Sequence, residues 1–105
     1  MPTVAAHRRA LHRIPELDDR LPETCAYVRR VLEPLGCKIT APIPGGLCAF
    51  FDAGRPETAA FRADMDALPV TEATGLPYAS RHPGQMHACG HDGHTAILLV
   101  AAKIL

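Results

Sequence analysis

The sequence predicts an α/β fold in which helices pack on a mixed sheet that combines an antiparallel hairpin with parallel strands. Apolar residues recur at helical spacing in the first 36 residues and again near the end of the chain, whereas short apolar or alternating runs lie between. Hydrophobic residues make up 48% of the chain and charged residues 21%, which is typical of a globular protein. The length of 105 residues fits one domain or part of a larger one.

Two amphipathic helices are predicted in the first third of the chain. Val4, Leu11 and Ile14 have helical spacing, and Pro15 is expected to end this helix because proline cannot continue it. A second helix is predicted to begin at Pro22, since proline suits the first helical turn. Its inner stripe and its terminating glycine are Cys25, Val28, Leu32, Leu35 and Gly36.

The middle of the chain has the period of strands. Residues 37–41 alternate apolar and polar side chains, and residues 47–51 form a short apolar run. Residues 58–63 indicate a further strand, and the runs on either side of Gly54 are predicted to pair as a hairpin. Residues 67–88 contain several prolines and glycines and predict an irregular loop with functional potential.

The last segment predicts a helix from about Gly93 to the end of the chain. In the run AILLVAAKIL only Lys103 is polar, and a helix that is apolar all round needs burial on all sides. We therefore expect either further polypeptide after residue 105 or a second copy of the chain, in a homo-oligomer, to cover it.

Several classes of function are excluded by composition. The formal net charge is zero, aromatic residues make up 5%, and tryptophan is absent, so neither nucleic acid nor a membrane surface is an expected partner. There is no signal-peptide pattern at the N-terminus, and the longest apolar run is too short to span a bilayer. No cysteines form a CxxC pair, and Cys25, Cys37 and Cys48 are predicted to be small buried hydrophobes, which favours free thiols and a cytoplasmic location.

The densest chemical signal is the segment from residue 86 to residue 95, which contains one thiol, three imidazoles and one carboxylate. Cys89 and His91 are two residues apart, and in extended backbone such residues point to the same side. Thiolate and imidazole are ligands that zinc and similar divalent metals prefer. Gly90 and Gly93 permit the sharp backbone of such a site. We therefore predict that Cys89 and His91 ligate one metal ion or bridge two.

A second pair of candidate residues, Asp64 and Asp66, follows the predicted third strand. Alternation again places both side chains on one side, where a carboxylate either ligates a metal or orients a ligand imidazole from behind. The alternative is a structural role, such as an ion pair with Arg62. Asp66 is the stronger functional candidate.

The other histidines and Asp92 have plainer interpretations. His87 and His94 are either further ligands or ordinary hydrogen-bonded or solvent-facing histidines. Asp92 precedes the predicted last helix and is expected to cap its N-terminus. His7 and His12 have no metal-like neighbours in sequence and are predicted to lie on the surface of the first helix.

Two stretches of the chain, FRADMDALPVTEATGLPYAS and MHACGHDGHTAILLVAAKIL, closely resemble the metallopeptidase-type amidohydrolases. That family includes hippurate hydrolases, bacterial aminoacylases, N-acetyl-diaminopimelate deacetylases and auxin-conjugate hydrolases. The opening RRALHRIPEL is similar to the N-terminal helix of the same family, so the resemblance covers essentially the whole chain.

The resemblance implies a fold, a cofactor and a reaction. Residues 1–105 would be the N-terminal portion of a three-layer α/β/α catalytic domain, without the lid and dimerisation domain or the C-terminal part. The family implies a dinuclear site for manganese, zinc, cobalt or nickel, and hydrolysis of N-acyl amino acids by metal-activated water. Cys89 and His91 match the family's ligands, and Asp66 matches an aspartate that supports a ligand.

The family's general-base glutamates and its remaining ligands lie downstream of the matched motif. Glu72 is the only carboxylate between the two motifs, and its position does not match the family's base. We therefore expect a truncated amidohydrolase that is inactive on its own. The alternative is a small non-catalytic module that binds metal, through Cys89 and His91 with His87 and His94, or that self-associates.

Overall fold

The fold combines three α-helices with a two-stranded sheet, as a computed structural model that describes residues 2–105 reveals. The elements in chain order are α1 (Val4–His12), α2 (Pro22–Leu32), a 3-10 turn (Glu33–Leu35), β1 (Lys38–Thr40), β2 (Cys48–Phe50) and α3 (His91–Ile104). This is the predicted α/β class. No helix in the described residues is both long and apolar enough to cross a membrane.

The first helix begins at a side-chain cap and packs against the last helix. Thr3 Oγ1 accepts a hydrogen bond from the backbone N–H of Ala6 at 3.1 Å, which satisfies one of the free amides of the first turn. The helix ends at His12, three residues before Pro15, and the proline itself is buried. One face of α1 lies on α3, so the two ends of the chain are brought together.

The second helix begins at Pro22, as predicted, but its N-terminus is capped from a distance. Leu21 in the N-cap position has no side-chain oxygen to offer. The buried carboxylate of Glu16 takes that role, accepting from the backbone N–H of Thr24 at 2.7 Å and of Glu23 at 3.1 Å. A negative charge at a helix N-terminus also interacts favourably with the helix dipole.

The C-terminal end of α2 follows the prediction. The 3-10 turn Glu33–Leu35 tightens the chain after Leu32, and Gly36 then adopts a left-handed conformation with φ of 78°. Glycine adopts this conformation without the steric penalty of a Cβ atom, so the helix stops there and β1 begins two residues later.

The sheet is an antiparallel pair of β1 and β2, with Ile39 opposite Ala49. The turn between them places Gly45 at φ of 71° against Asp19, where a Cβ atom would lie 2.7 Å from the Asp19 carbonyl oxygen. The predicted hairpin between residues 47–51 and 58–63 is wrong. Because this earlier turn gives β2 its partner in β1, residues 58–63 form no strand, and residues 58–62 are exposed.

The segment from residue 67 to residue 88 is irregular, as predicted, but it is anchored at several backbone positions. Leu68 and Met86 exchange two hydrogen bonds of 2.9 and 3.0 Å, which close the loop at its base. The Ala67 N–H donates to the Glu16 carbonyl at 2.7 Å. The loop is therefore held against the turn between α1 and α2.

The apolar core lies between α2, the sheet and the inner face of α3. Val28, Leu32 and Leu99 are its buried centre. Partly buried side chains surround them, namely Tyr27, Val31, Leu35, Cys37, Ile39, Leu47, Ala49, Met65 and Ala102. The opposite face of α3 exposes Ile97 and Ile104, which agrees with the expectation that this chain alone does not cover an all-apolar helix.

The four cysteines are free thiols. Cys25 and Cys37 are partly buried, which is close to the prediction. Cys48 is exposed, so its predicted burial is wrong. The cause is the strand period: in β2 the inward position belongs to Ala49, and Cys48 points to the other face.

Leu99→Ala should destabilise the protein by about 2–3 kcal/mol, because it removes a buried side chain and leaves a cavity between α2 and α3. Urea unfolding followed by circular dichroism measures the change. Ile97→Ala is the matched control, since Ile97 is 57% exposed on the same helix, and it should change stability by less than about 1 kcal/mol. Equal effects of the two substitutions would contradict this assignment of the core.

Glu16→Ala should lower stability by roughly 1–2 kcal/mol, because two amides at the start of α2 lose their acceptor. For a domain of this size the melting temperature should fall by roughly 5–10 °C. Glu33→Ala removes an exposed carboxylate at the other end of α2 and serves as control. A melting temperature as high as that of the unmodified protein would show that Glu16 does not cap the helix.

Candidate metal centre

The two predicted ligands flank a glycine at the start of α3. Gly90 is the N-cap residue and has a left-handed backbone with φ of 98°, so Cys89 ends the preceding loop and His91 is the first helical residue. The expected strand-end geometry for this pair is therefore wrong. A glycine turn, rather than the alternation of a strand, sets the directions of the two side chains.

The His91 side chain is oriented by Asp66. Its Nδ1 atom lies 3.0 Å from a carboxylate oxygen of Asp66 and 2.9 Å from the Asp66 backbone carbonyl oxygen. Both neighbours are acceptors, so Nδ1 donates and carries the hydrogen, and the lone pair of the neutral ring resides on Nε2. Metal-binding histidines use this arrangement, in which a carboxylate or carbonyl fixes the tautomer and the other nitrogen faces the metal.

Cys89 supplies an exposed free thiol two residues from His91. A thiolate and an imidazole together suit zinc and other borderline divalent metals. Among residues 2–105, no cluster of three or more histidine, cysteine or acidic side chains is arranged to hold a metal ion. The residues present fit a partial centre, with two donors and one orienting carboxylate.

Asp64 and His94, the neighbouring candidates, have contacts that differ from those of Cys89 and His91. Asp64 forms an ion pair with the exposed guanidinium of Arg62, which was the structural alternative for this residue. Its backbone carbonyl accepts a hydrogen bond from the Thr95 hydroxyl at 3.1 Å, which attaches α3 to the extended segment. His94 is exposed, with its ring centroid 6.3 Å from that of His91.

His87 is buried, and neither ring nitrogen has a hydrogen-bond partner in the described part of the chain. Burial lowers its pKa, and the positive charge of His12 acts in the same direction, whereas Asp92 opposes them. A neutral imidazole with an unpartnered buried nitrogen is energetically unfavourable until it finds a partner. Nothing in the spacing of the segment distinguishes this histidine from His94.

Asp92 is buried beneath the turn instead of capping the helix. Helix α3 begins at His91, two residues earlier than a cap at Asp92 requires, so the predicted N-cap role is wrong. Its Oδ2 atom lies 2.9 Å from Arg8 Nε and 2.8 Å from His12 Nδ1, and Oδ1 accepts from the Gly93 N–H at 2.9 Å. Three donors therefore converge on one buried carboxylate.

His12 is also buried, with an exposed fraction of 2%, so its predicted surface position is wrong. Its second nitrogen, Nε2, lies 2.9 Å from a carboxylate oxygen of Glu72 in the irregular loop. The ring of Tyr78 packs edge-on against it at 5.8 Å. His12 lies on the face of α1 that packs against α3 and the loop, where polar neighbours rather than water surround it.

His7, the other histidine predicted to be on the surface, is fully buried as well. Its Nδ1 atom lies 2.7 Å from the Tyr27 hydroxyl. Burial lowers the pKa of His7 and raises that of Tyr27, so the pair is neutral. His7, Leu11 and His12 share the inner face of α1, and only the leucine was recognisable as a core residue from its type.

Glu72 is held at several points, although its position had no predicted role. Besides His12, the Ser80 N–H donates to Oε1 at 2.9 Å and the Thr74 hydroxyl donates to Oε2. Burial acts to raise the pKa of Glu72, and this is the largest single influence. The hydrogen bonds from Thr74, Ser80 and His12, with the His12 charge, outweigh it and lower the pKa below its ordinary value of 4.5.

Sequence reasoning missed Arg8 and His12 as partners of Asp92, and Glu72 as a partner of His12. Along the chain His12 is 80 residues from Asp92 and 60 residues from Glu72, so neither helical nor strand spacing connects them. The only available signal was residue type: two carboxylates, an arginine and a histidine, none of them predicted to be buried. The structure therefore adds a buried polar network, defined here as Arg8, His12, Glu72 and Asp92, directly behind the candidate ligands.

Comparison with known proteins gives related sequences over most of the chain. Residues 60–105 match the family described as Peptidase family M20/M25/M40. An uncharacterised hydrolase of Staphylococcus aureus strain USA300 is 44% identical over 97 residues, which are 92% of this chain and 25% of that protein. An uncharacterised hydrolase of Staphylococcus epidermidis is 43% identical over 100 residues, which are 95% of this chain and 26% of that protein.

Two crystal structures resemble the fold closely. One, a candidate aminohydrolase from methicillin-resistant Staphylococcus aureus, has a TM-score of 0.92 and 43% identity, and the match covers 97% of this chain and 28% of that one. The other is the Bacillus subtilis YXEP protein, described as a dinuclear metal binding peptidase from the M20 family. It has a TM-score of 0.87 and 40% identity over 96% of this chain and 29% of that one.

The chain thus spans about a quarter of the length of the curated relatives it matches. The similarity includes both the segment that carries Asp66 and the turn that carries Cys89 and His91, because these lie within residues 60–105.

Glu72→Gln should make stability less sensitive to acid. The folded-state pKa of Glu72 is lower than its ordinary value, so its ionised form stabilises the fold above pH 4.5, and this contribution is lost as the pH falls through the lowered pKa. Urea unfolding from neutral pH down through this range measures the slope. The Glu72→Gln protein should have a lower free energy of unfolding at neutral pH, and that free energy should fall less on acidification.

Glu57→Gln, at an exposed position, is the control and should follow the unmodified protein at every pH. A Glu72→Gln protein with an unchanged acid slope would contradict the contribution assigned to this carboxylate.

Proposed function

The chain belongs to peptidase family M20/M25/M40, and on that premise we propose that Cys89 and His91 are two ligands of a dinuclear metal centre in a hydrolase of N-acyl amino acids. The observation that carries this proposal is the hydrogen bonding of His91. Nδ1 donates to both the carboxylate and the backbone carbonyl of Asp66, so the lone pair on Nε2 is available to bind a metal ion.

Each of the three residues has a distinct part in this proposal. His91 presents a neutral imidazole nitrogen, and Asp66 holds the ring in one tautomer and one orientation. Cys89 contributes a thiolate from the exposed side of the glycine turn. A divalent metal bound here, such as manganese, zinc, cobalt or nickel, supplies Lewis acidity toward an amide carbonyl and lowers the pKa of water.

The substrate class is supported by the relatives. The two similar structures are described as an aminohydrolase candidate and as a dinuclear metal binding peptidase, and both descriptions refer to hydrolysis of bonds to nitrogen. The sequence resemblance to hippurate hydrolases and aminoacylases narrows this class to linear amides of amino acids. The substrate is therefore proposed to be a small N-acyl amino acid.

We propose that the 105 residues alone do not hydrolyse such a substrate. Hydrolysis of an amide needs a general base within hydrogen-bond reach of the attacking water. In the described chain Asp66 is occupied by His91, and the buried carboxylates Asp92 and Glu72 are occupied by their own donors. None of these three is free to serve as that base.

A second candidate function is a non-catalytic module that self-associates. Helix α3 carries Ile97 and Ile104 on its outer side, with exposed fractions of 57% and 78%. A second copy of the chain could cover this face and bring two Cys89–His91 pairs into one assembly. Sedimentation at several protein concentrations separates this candidate from a monomeric chain.

Cys89→Ser should reduce bound metal at least tenfold, because it replaces a thiolate by a poor ligand. Protein without an affinity tag is dialysed against zinc, and the metal content per chain is measured by elemental analysis. Asp66→Asn should weaken binding roughly 10- to 100-fold, since the amide no longer fixes the His91 tautomer through a carboxylate. Cys48→Ser changes another exposed thiol, which lies in β2, and should leave the metal content unchanged.

The same samples are assayed for hydrolysis of an N-acyl amino acid. Bound metal that depends on Cys89, without turnover, is the expected result. If zinc content is the same in the Cys89→Ser and unmodified proteins, the proposed ligand assignment fails. Rapid metal-dependent turnover by the unmodified chain would instead contradict the proposed inactivity.

A further inference from the structure

The buried polar network joins three separate parts of the chain directly behind the candidate metal centre. Arg8 and His12 come from α1, Glu72 from the irregular loop, and Asp92 from the first turn of α3. The side chains of His12, Glu72 and Asp92 have exposed fractions of 2%, 3% and 1%. Such burial of charged groups is uncommon unless each of them is paired.

Hydrogen bonding gives each member of the network a polar partner. The Asp92 carboxylate accepts from Arg8, His12 and the Gly93 N–H, and every one of these partners is a donor. Glu72 likewise accepts from Ser80 and Thr74 as well as from His12. Each nitrogen of His12 lies within hydrogen-bond distance of one of the two carboxylates.

The turn that carries the candidate ligands has little local support of its own. Its N-cap, Gly90, offers no side-chain hydrogen bond to α3, and its left-handed backbone is one of many conformations that a glycine adopts. Besides Asp66, which holds the ring of His91, the turn is anchored by Asp92, which follows His91 directly. The position of Asp92 is in turn set by α1, through Arg8 and His12.

We infer that His12 is a positioning residue for the metal centre. By holding Asp92 from one side and Glu72 from the other, it fixes the first turn of α3 and so the directions of Cys89 and His91. This inference rests on the proposed function only for its consequence, which is tighter metal binding. Its structural part, a turn held in place by His12, applies to the metal-free protein as well.

Two substitutions in the full chain test the structural part. His12→Phe keeps a planar ring but removes both hydrogen bonds, and Asp92→Asn keeps the shape of the side chain but removes its charge. His7→Phe is the matched control, because His7 is an equally buried histidine on the same helix whose single partner, Tyr27, lies on α2. If His12→Phe does not fold, the isosteric Asp92→Asn protein carries the test.

Amide hydrogen exchange followed by NMR measures how firmly the turn is held in the metal-free protein. The His94 N–H, which donates to the Gly90 carbonyl at 3.1 Å, should exchange roughly tenfold faster in the His12→Phe and Asp92→Asn proteins. The Cys25 N–H, which donates to the Leu21 carbonyl in α2, should be unchanged. In the His7→Phe protein both amides should exchange at the unmodified rate.

Titration with Co²⁺ alone reads the consequence for metal binding. The thiolate-to-cobalt absorption band should appear at roughly 10- to 100-fold higher Co²⁺ concentration in the His12→Phe and Asp92→Asn proteins than in the His7→Phe protein. The measurement is made where each protein is fully folded by circular dichroism, so that a general loss of stability does not enter.

The outcomes separate the two ideas. Faster exchange at His94 with weaker Co²⁺ binding supports the inference in full. Faster exchange in a protein whose unmodified form binds no Co²⁺ supports the held turn and contradicts the proposed metal centre. Unchanged exchange at His94, or Co²⁺ affinities equal to that of the His7→Phe protein, overturns the positioning role.

Discussion

The buried carboxylate of Asp92 is the contact on which the arrangement of this chain depends. It lies at the first turn of α3 and accepts hydrogen bonds from two residues of α1, so it joins the beginning of the chain to its end. A single buried carboxylate would be strongly unfavourable, and it requires Arg8 and His12 in the places they occupy. The orientation of α1 on α3 is therefore specified by charge and not by apolar packing alone.

The polar contact at Asp92 and the apolar core hold different pairs of helices together. Val28, Leu32 and Leu99 join α2 to the middle of α3, whereas the Asp92 network joins α1 to the N-terminal turn of α3. Apolar contacts are non-directional and tolerate rotation of a helix about its axis. Hydrogen bonds between charged groups tolerate far less, so the end of α3 that carries the candidate ligands is the end with directional restraints.

The features that were predictable from sequence are those encoded by neighbouring residues. Pro22 and Gly36 mark the beginning and end of the second helical segment, and the prolines and glycines of residues 67–88 mark an irregular loop. The partner of β2 was predicted wrongly, because the turn around Gly54 was taken as the hairpin. The structure pairs β2 with β1 instead, across a turn in which Gly45 lies close against Asp19.

The same distinction holds for the candidate site: residues within one short motif were identifiable, and residues distant in sequence were not. Cys89 and His91 were identifiable because their ligand chemistry and spacing lie within one short segment, and Asp66 because of its position in a second motif. His12 and Glu72 have no such signal: they reach the site only through contacts across 60 and 80 residues of chain.

His12 is buried on an amphipathic helix where a surface position was expected. Its hydrogen bonds to the carboxylates of Asp92 and Glu72 explain this burial. The cost of burying His12 is offset only if both carboxylates are ionised and in place. The same requirement makes the network sensitive to the position of every member. The turn must present Cys89 and His91 in fixed directions, although the flexible Gly90 lies between them. A network that holds its members in fixed positions restrains this turn. The rigid part of this site is therefore the network behind the ligands, and the glycine turn follows it.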